Sequence, residues 1–107
     1  GEKIYKEQCA VCHQVNGLGV SSVFPAIKGS SVATGDVSVH MDTVLNGRSG
    51  TAMQPFANQL TEQELAAVIT YQRNAWGNDT GDLVQASDIS AFKNSVGKAE
   101  KASEQEQ

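Results

Sequence analysis

Residues Cys9-Ala10-Val11-Cys12-His13 carry the strongest motif in this 107-residue chain. Two cysteines three positions apart, followed at once by a histidine, are typical of covalent attachment of a c-type haem. Each thiol can add across one of the two vinyl groups on the porphyrin edge, and one helical turn spans that edge. His13 then lies under the iron and offers an imidazole nitrogen as the proximal ligand.

Three other chemistries use a CxxC pair. A thioredoxin-like redox pair needs a surrounding βαβ pattern, which the sequence does not contain. A zinc site needs more ligands, but Cys9 and Cys12 are the only cysteines, and His40 is the only histidine besides His13. A structural disulfide remains open in an oxidising compartment. The histidine directly after the second cysteine favours haem over all three.

The composition indicates one small acidic domain. Only 6% of the residues are aromatic, so a bound porphyrin would supply a large apolar centre. The net charge of −4 disfavours nucleic acid and anionic membrane surfaces as partners. No run approaches the roughly 20 apolar residues of a membrane span, and no secretory signal precedes Gly1. Because haem attachment normally happens outside the cytoplasm, we expect a mature periplasmic protein or an excised piece of a longer one.

Apolar spacing predicts a first helix over residues 1–12 and a clear last helix over residues 61–76. The last helix begins with a capping box, in which Thr61 is followed three positions later by Glu64. We expect the two helices to cross at Gly1 and Tyr5 on one side and at Val68 and Tyr71 on the other. Gly1 lacks a Cβ and would permit close approach; an ordinary helix start is the other interpretation.

Between these helices, residues 14–35 are expected to form loops that line a haem pocket. A short helix is predicted over residues 36–45, capped by Asp36. Met41 lies in its apolar stripe and is expected to fill the core. His40 beside it is a less favoured iron ligand, because helical histidines are more often surface or structural residues.

Met53 lies on a glycine-flanked loop, from which it can reach a haem face. His13 and Met53 are therefore predicted to be the two axial ligands, a pair that raises the reduction potential. A surface methionine is the alternative interpretation. The Pro25 carbonyl is a candidate acceptor for the second ring N–H of His13, and an ordinary turn proline is its alternative. Arg48 is either a partner of a haem propionate or a solvated loop residue.

The pattern weakens after residue 77. Leu83 and Val84 are expected to attach the segment to the body, and Ser87-Asp88 to cap one or two turns that carry Ile89 and Phe92. After residue 97 nearly all residues are Lys, Glu, Ala, Ser or Gln, which predicts disorder.

Together these motifs resemble class I cytochromes c. The resemblance is carried by residues 9–13, the Phe24-Pro25-Ala26 turn, the Met53 loop and the last helix. The strings Gly50-Thr51-Ala52-Met53-Gln54, Arg73-Asn74-Ala75-Trp76-Gly77-Asn78 and Asp82-Leu83-Val84-Gln85 are similar to the cytochrome c domain at the C-terminus of cytochrome c oxidase subunit II, in caa3-type oxidases.

The resemblance implies an all-α class I cytochrome c fold. Its N- and C-terminal helices cross, its middle helix is short, and its loops wrap one covalent haem c. We predict a cytochrome c domain over residues 1–80, a packed extension over 81–97 and a disordered tail over 98–107. The resemblance also implies thioethers at Cys9 and Cys12, axial ligands at His13 and Met53, and a bond from His13 to the Pro25 carbonyl.

Iron with two protein ligands has no open position for substrate, so we expect single-electron transfer and no enzyme activity by the chain alone. The resemblance implies an electron-entry domain, tethered to the outer face of the membrane through its parent subunit. It would accept from a soluble cytochrome c or the bc1 complex and donate to the dinuclear copper of subunit II. A free periplasmic shuttle, and an enzyme or gas sensor in which Met53 leaves the iron, are the alternatives. The predicted docking face contains Val11, Gln14, Leu18 and Ala52.

Overall fold

A computed structural model describes residues 1–20, 26–48 and 53–94. Its helices are α1 (Glu2–Gln8), α2 (Ala10–His13), α3 (Ser31–Thr34), α4 (Val37–Asn46), α5 (Glu62–Asn74), a 3₁₀ turn (Ala75–Gly77) and α6 (residues 86–94). The described ranges contain no β-strand, which confirms the predicted all-α class. Within the same ranges, no helix has both the length and the apolar character needed to cross a bilayer.

The crossing of α1 and α5 lies where the sequence predicts it. A Cβ built on Gly1 would lie 2.2 Å from the Ala67 carbonyl oxygen, so the backbone of residue 1 lies directly against α5. Tyr5 and Val68 are completely buried, and the Tyr5 ring centroid lies 5.5 Å from that of Tyr71. The predicted close approach at Gly1 is therefore confirmed.

Leucine at position 1 is expected to lower the free energy of unfolding by about 1–3 kcal/mol, because its side chain has to push α1 away from α5. Thermal denaturation of the Gly1→Leu protein, followed by circular dichroism, measures the effect. Lys3→Leu adds the same side chain at an exposed position of α1 and serves as the control. Equal melting temperatures for the two variants would contradict the close packing.

Two helix ends differ from the predictions. The first helix is divided at Cys9, where a stretched φ of −116° with ψ −33° separates α2 as a turn of its own. The last helix ends at Asn74, because Ala75 is extended, with a ψ of 162°, and Trp76 after it has a φ of +55°. The indole N–H of Trp76 donates to the Val15 carbonyl over 2.9 Å, and the ring lies against Gly17. This tertiary contact holds Trp76 outside the helix that the apolar spacing predicts.

Two further helices differ from the predictions, α3 by lying in a predicted loop and α6 by where it begins. Within residues 14–35, α3 begins at Ser31 and is capped by Ser30, whose hydroxyl accepts from the Ala33 N–H. After residue 80, α6 begins at residue 86, one position before the predicted cap. Val84 and Ile89 are buried in the main core, whereas Leu83 is 68% exposed and does not attach the segment.

The core lies between α1, α4 and α5 and includes Met41, as predicted. The division of the chain at residue 80 stays a prediction, and the tail over residues 98–107 lies outside the described residues.

Candidate functional site

A cavity of about 370 Å³ opens beside α2 and α4. This volume lies within the usual range of small-molecule sites. It is lined by Gln8, Cys9, Val11, Cys12, His13, Ala26, Ile27, Ser30, Val32, His40, Thr43, Val44, Arg48, Met53, Gln54, Phe56 and Gln72. Four of the predicted site residues, Cys9, Cys12, His13 and Met53, are thus brought to one cavity from separate parts of the chain. Pro25 lies outside the described residues, so its bond to His13 stays a prediction.

The cysteine motif forms one turn of helix at the cavity wall. The Cys9 carbonyl accepts from the N–H groups of Cys12, over 3.2 Å, and His13, over 3.0 Å. Both thiols are free; Cys9 is buried and Cys12 half-buried. Burial raises the pKa of the Cys9 thiol to about 11. The turn presents two thiols and an imidazole to the same space.

A buried aromatic group holds the end of this turn. The Tyr5 hydroxyl donates to the carbonyl of Gln14 over 2.6 Å. Gln14 is the residue directly after His13 and has a φ of +68°. Burial is also the main cause that raises the pKa of Tyr5. The rings of Tyr5 and Trp76 meet edge to face, with centroids 5.0 Å apart. The fully buried α1 tyrosine therefore fixes the backbone on which His13 is carried.

Backbone hydrogen bonds hold Met53 and the residues after it against the end of α4. The Arg48 N–H donates to the Met53 carbonyl over 3.1 Å. The Phe56 and Ala57 N–H groups donate to the Val44 and Leu45 carbonyls, over 3.1 and 3.0 Å. These bonds satisfy carbonyls at the helix end, which would otherwise lack intrahelical partners. The position of Met53 therefore depends on how α4 ends.

Gly47 is the residue that permits this arrangement. It ends α4 with φ +70° and ψ −164°, a conformation that is essentially restricted to glycine. A Cβ at this position would lie 2.5 Å from the Met53 carbonyl oxygen. Met53 can approach α4 only because residue 47 has no side chain.

Arg48 also lines the cavity. Its guanidinium contacts α4 side chains, with Nη1 3.2 Å from Asp42 Oδ2 and Nη2 2.5 Å from Thr43 Oγ1. The charge is thereby held beside the cavity, and its pairing with a haem propionate stays a prediction.

One wall of the cavity contains a buried network of hydrogen-bonded polar side chains that was not predicted from the sequence. His40 Nε2 lies 2.7 Å from Gln72 Oε1, and Arg73 Nη1 lies 3.3 Å from His40 Nδ1. The Gln72 amide nitrogen donates to Cys9 Sγ over 3.8 Å. Burial lowers the pKa of His40 to about 4. Both ring nitrogens of His40 are engaged, which agrees with the structural role that the sequence analysis favours over iron ligation.

Another side chain that the sequence analysis missed joins a loop of the cavity wall to the end of α5. The Asn78 amide nitrogen donates to the carbonyls of Gln72, over 2.7 Å, and Ile27, over 3.3 Å. Its Oδ1 accepts from the Gly29 N–H over 2.7 Å. Asn78 therefore positions Ile27, which lines the cavity.

The structure does not support the zinc interpretation of the cysteines. Among the residues that it describes, no three His, Cys, Asp or Glu side chains are close enough to hold a metal ion together. Within the described part of the chain, Cys9 and Cys12 are therefore without the further ligands that a structural zinc site needs. A haem fits the donor set better, because the two thiols and the imidazole share one helical turn.

Comparison with protein families identifies the chain. The family described as cytochrome c oxidase, cbb3-type, subunit III matches residues 1–71. The chain belongs to this family of cytochrome c domains. The cofactor of such domains is one covalent haem c, as predicted.

Several proteins are similar to this cytochrome c domain. The chain is 35% identical to cytochrome c-552 of Thermus thermophilus, over 73% of this chain and 69% of that protein. It is 33% identical to the cytochrome c subunit of a quinone alcohol dehydrogenase from Gluconobacter oxydans (strain 621H), over 87% of this chain. It is 29% identical to the cbb3-type cytochrome c oxidase subunit CcoP of Azospirillum brasilense, over 72% of this chain.

The chain spans 22% of the length of that dehydrogenase subunit and 28% of CcoP. The predicted cytochrome c domain is confirmed by these similarities. Its assignment to subunit II of a caa3-type oxidase rests on the sequence resemblance alone.

Proposed function

We propose that this cytochrome c domain carries single electrons on a haem that Cys9 and Cys12 would hold through thioethers and that His13 and Met53 would ligate at the iron. The observation that carries the proposal is that these four side chains line the same cavity. When bound, the haem supplies a one-electron couple at its iron. A methionine–histidine ligand pair raises the potential of that couple.

Each element of the site has a distinct role. The α2 turn presents the two thiols and the imidazole together, and Tyr5 holds the residue after His13. The backbone bonds to α4 hold Met53 at the cavity. Apolar residues such as Ile27, Val44 and Phe56 line the cavity and would keep water away from a bound haem. Ligands from both segments leave no position for a substrate, so the domain acts as a carrier and not as an enzyme by itself.

The exposed surface beside the motif suits a short-lived docking contact. Val11 is 79% exposed, Leu18 is 54% exposed, and Gln14 is also exposed. Isolated apolar side chains beside a polar one suit the small contacts of electron-transfer complexes. Ala52, which the sequence analysis adds to this face, lies outside the described residues.

For the wider context, we propose an electron-entry domain of a caa3-type oxidase on the outer face of the cytoplasmic membrane. It accepts from a soluble cytochrome c or the bc1 complex and donates to the dinuclear copper of subunit II. The alternative is a free periplasmic shuttle, which the coverage of 69% of cytochrome c-552 favours. The neighbouring gene sequence distinguishes them, since only the oxidase subunit adds membrane spans and a copper motif.

Met53→Leu tests the ligand assignment, and Met41→Leu in the core is its control. Met53→Leu is expected to abolish the sulfur-to-iron charge-transfer absorption of the ferric protein. It is also expected to lower the reduction potential by more than about 59 mV, which is a tenfold change in the equilibrium constant for one electron. Met41→Leu should leave both properties close to those of the original protein.

Acid–acetone extraction tests the covalent attachment, because thioether bonds retain the pigment on the chain. Loss of the colour to the solvent would contradict the roles of Cys9 and Cys12. An unchanged charge-transfer absorption in Met53→Leu would contradict the proposed distal ligand.

A further inference from the structure

Arg73 is a charged residue whose side chain is only 1% exposed. Arginine is almost never fully buried unless it is paired. Its Nε and Nη2 donate to Asp82 Oδ2 over 3.0 and 2.7 Å, and Nη2 also donates to the Gly35 carbonyl. The Asp82 side chain is 43% exposed. The anion of this pair thus faces water, while the cation lies inside the protein.

The buried hydrogen-bond network of Arg73, His40, Gln72 and Cys9 runs from this cation towards the cavity. Arg73 can only donate, so Nδ1 of His40 accepts and the ring proton lies on Nε2. That proton is donated to Gln72 Oε1, and the Gln72 amide nitrogen donates to Cys9 Sγ. Because His40 and Gln72 line the cavity, only one layer of side chains separates the guanidinium from it.

We propose that the Arg73 guanidinium raises the reduction potential of this domain and that Asp82 moderates the effect. The inference rests on the proposed function, because it requires a haem in the cavity. A positive charge stabilises the state that has gained an electron. Its field is weakened little inside the protein, where the effective dielectric constant is far below that of water. Water screens the half-exposed Asp82 carboxylate more strongly, so the pair does not cancel at the cavity.

The test compares four variants of the holoprotein by redox titration. Arg73→Gln removes the charge, and Arg73→Lys keeps it. Asp82→Asn removes the opposing anion. Lys6→Gln is the matched control, because it breaks an exposed ion pair with Glu2, 2.9 Å long, on the outer face of α1.

The two charge changes are expected to act in opposite directions. A unit charge acting over roughly 10–15 Å at an effective dielectric constant of about 20 changes an equilibrium constant by about tenfold. Allowing for the moderation by Asp82, Arg73→Gln should lower the equilibrium constant for reduction by roughly threefold to tenfold. Asp82→Asn should raise it, and Arg73→Lys and Lys6→Gln should leave it within about twofold of the original.

The absorption spectrum separates this inference from the proposed function. Absence of the sulfur-to-iron band in the original protein would overturn the proposed ligation. If that band is present throughout, but Arg73→Gln and Asp82→Asn shift the potential in the same direction or not at all, the role of Arg73 is overturned. Should Arg73→Gln fail to fold, the rise in Asp82→Asn relative to Lys6→Gln decides the question.

Discussion

The substitution Gly47→Ala is expected to lower the free energy of unfolding by about 3 kcal/mol and to weaken ligation by Met53. Two effects add at this position. The φ of +70° with ψ −164° is strained for any residue with a Cβ. The new Cβ would also lie 2.5 Å from the Met53 carbonyl oxygen, which is shorter than any normal contact. Relief requires the Met53 backbone to move away from α4 or α4 to unwind at its end.

Gly29→Ala is the matched control. Gly29 has nearly the same φ, +71°, but a Cβ there would meet nothing within 4 Å. The Gly29→Ala protein should therefore lose only the free energy that the strained backbone costs, about 1 kcal/mol of stability. Denaturant unfolding gives the stabilities, and the sulfur-to-iron absorption of the ferric protein reports on Met53. Equal losses in the two variants, with the absorption retained in both, would show that the contact at residue 47 does not position Met53.

The parts of the site that were predicted from sequence are those with a local or chemical rule behind them. The spacing of Cys9, Cys12 and His13 has one geometry in a helical turn, and the structure forms that turn at the cavity. Met53 was distinguished from Met41 by its context, a loop instead of an apolar helical stripe. The structure places Met41 in the core and Met53 at the cavity. The ligand roles themselves stay predictions.

The buried hydrogen-bond network could not be predicted, because it joins residues that are far apart in sequence. His40 lies 32 residues from Gln72, and Gln72 lies 63 from Cys9. Gln72 lies one helical turn after Val68 and so shares its apolar face, but this spacing gives no partner for the amide. A polar side chain on each of two apolar stripes was the available signal. Pairing them requires knowing that α4 packs against α5.

The predicted end of the last helix was wrong for a similar reason. The helical spacing of apolar residues continues to Trp76. Nothing near Trp76 in sequence shows that its indole N–H donates to the carbonyl of Val15, 61 positions away. Long-range contacts override local helix preference in this part of the chain.

Acidification from pH 6.5 to 4 is expected to destabilise the protein by up to about 3 kcal/mol through His40 alone. Burial lowers the folded-state pKa of His40 from 6.5 to about 4. Between these values the unfolded chain binds a proton that the folded protein does not, so stability falls as the pH falls. The limiting slope is about 1.4 kcal/mol per pH unit. Protonation of Nδ1 would also place an N–H donor opposite the Arg73 N–H, which donates to that nitrogen in the neutral state.

His40→Gln isolates this contribution, because a glutamine amide can accept from Arg73 and donate to Gln72 without titrating. Its free energy of unfolding, measured by denaturant at each pH, should vary much less over this window. Asp36 and Asp82 do not mimic the effect. Hydrogen bonds from Ser38 and Arg73, respectively, lower the pKa values of these carboxyls below 3.8, so their losses come at lower pH. Parallel stability curves for the two proteins between pH 6.5 and 4 would contradict the neutral, buried state of His40. A difference that grows steadily as the pH falls would establish that the wall of the cavity is held by an uncharged imidazole.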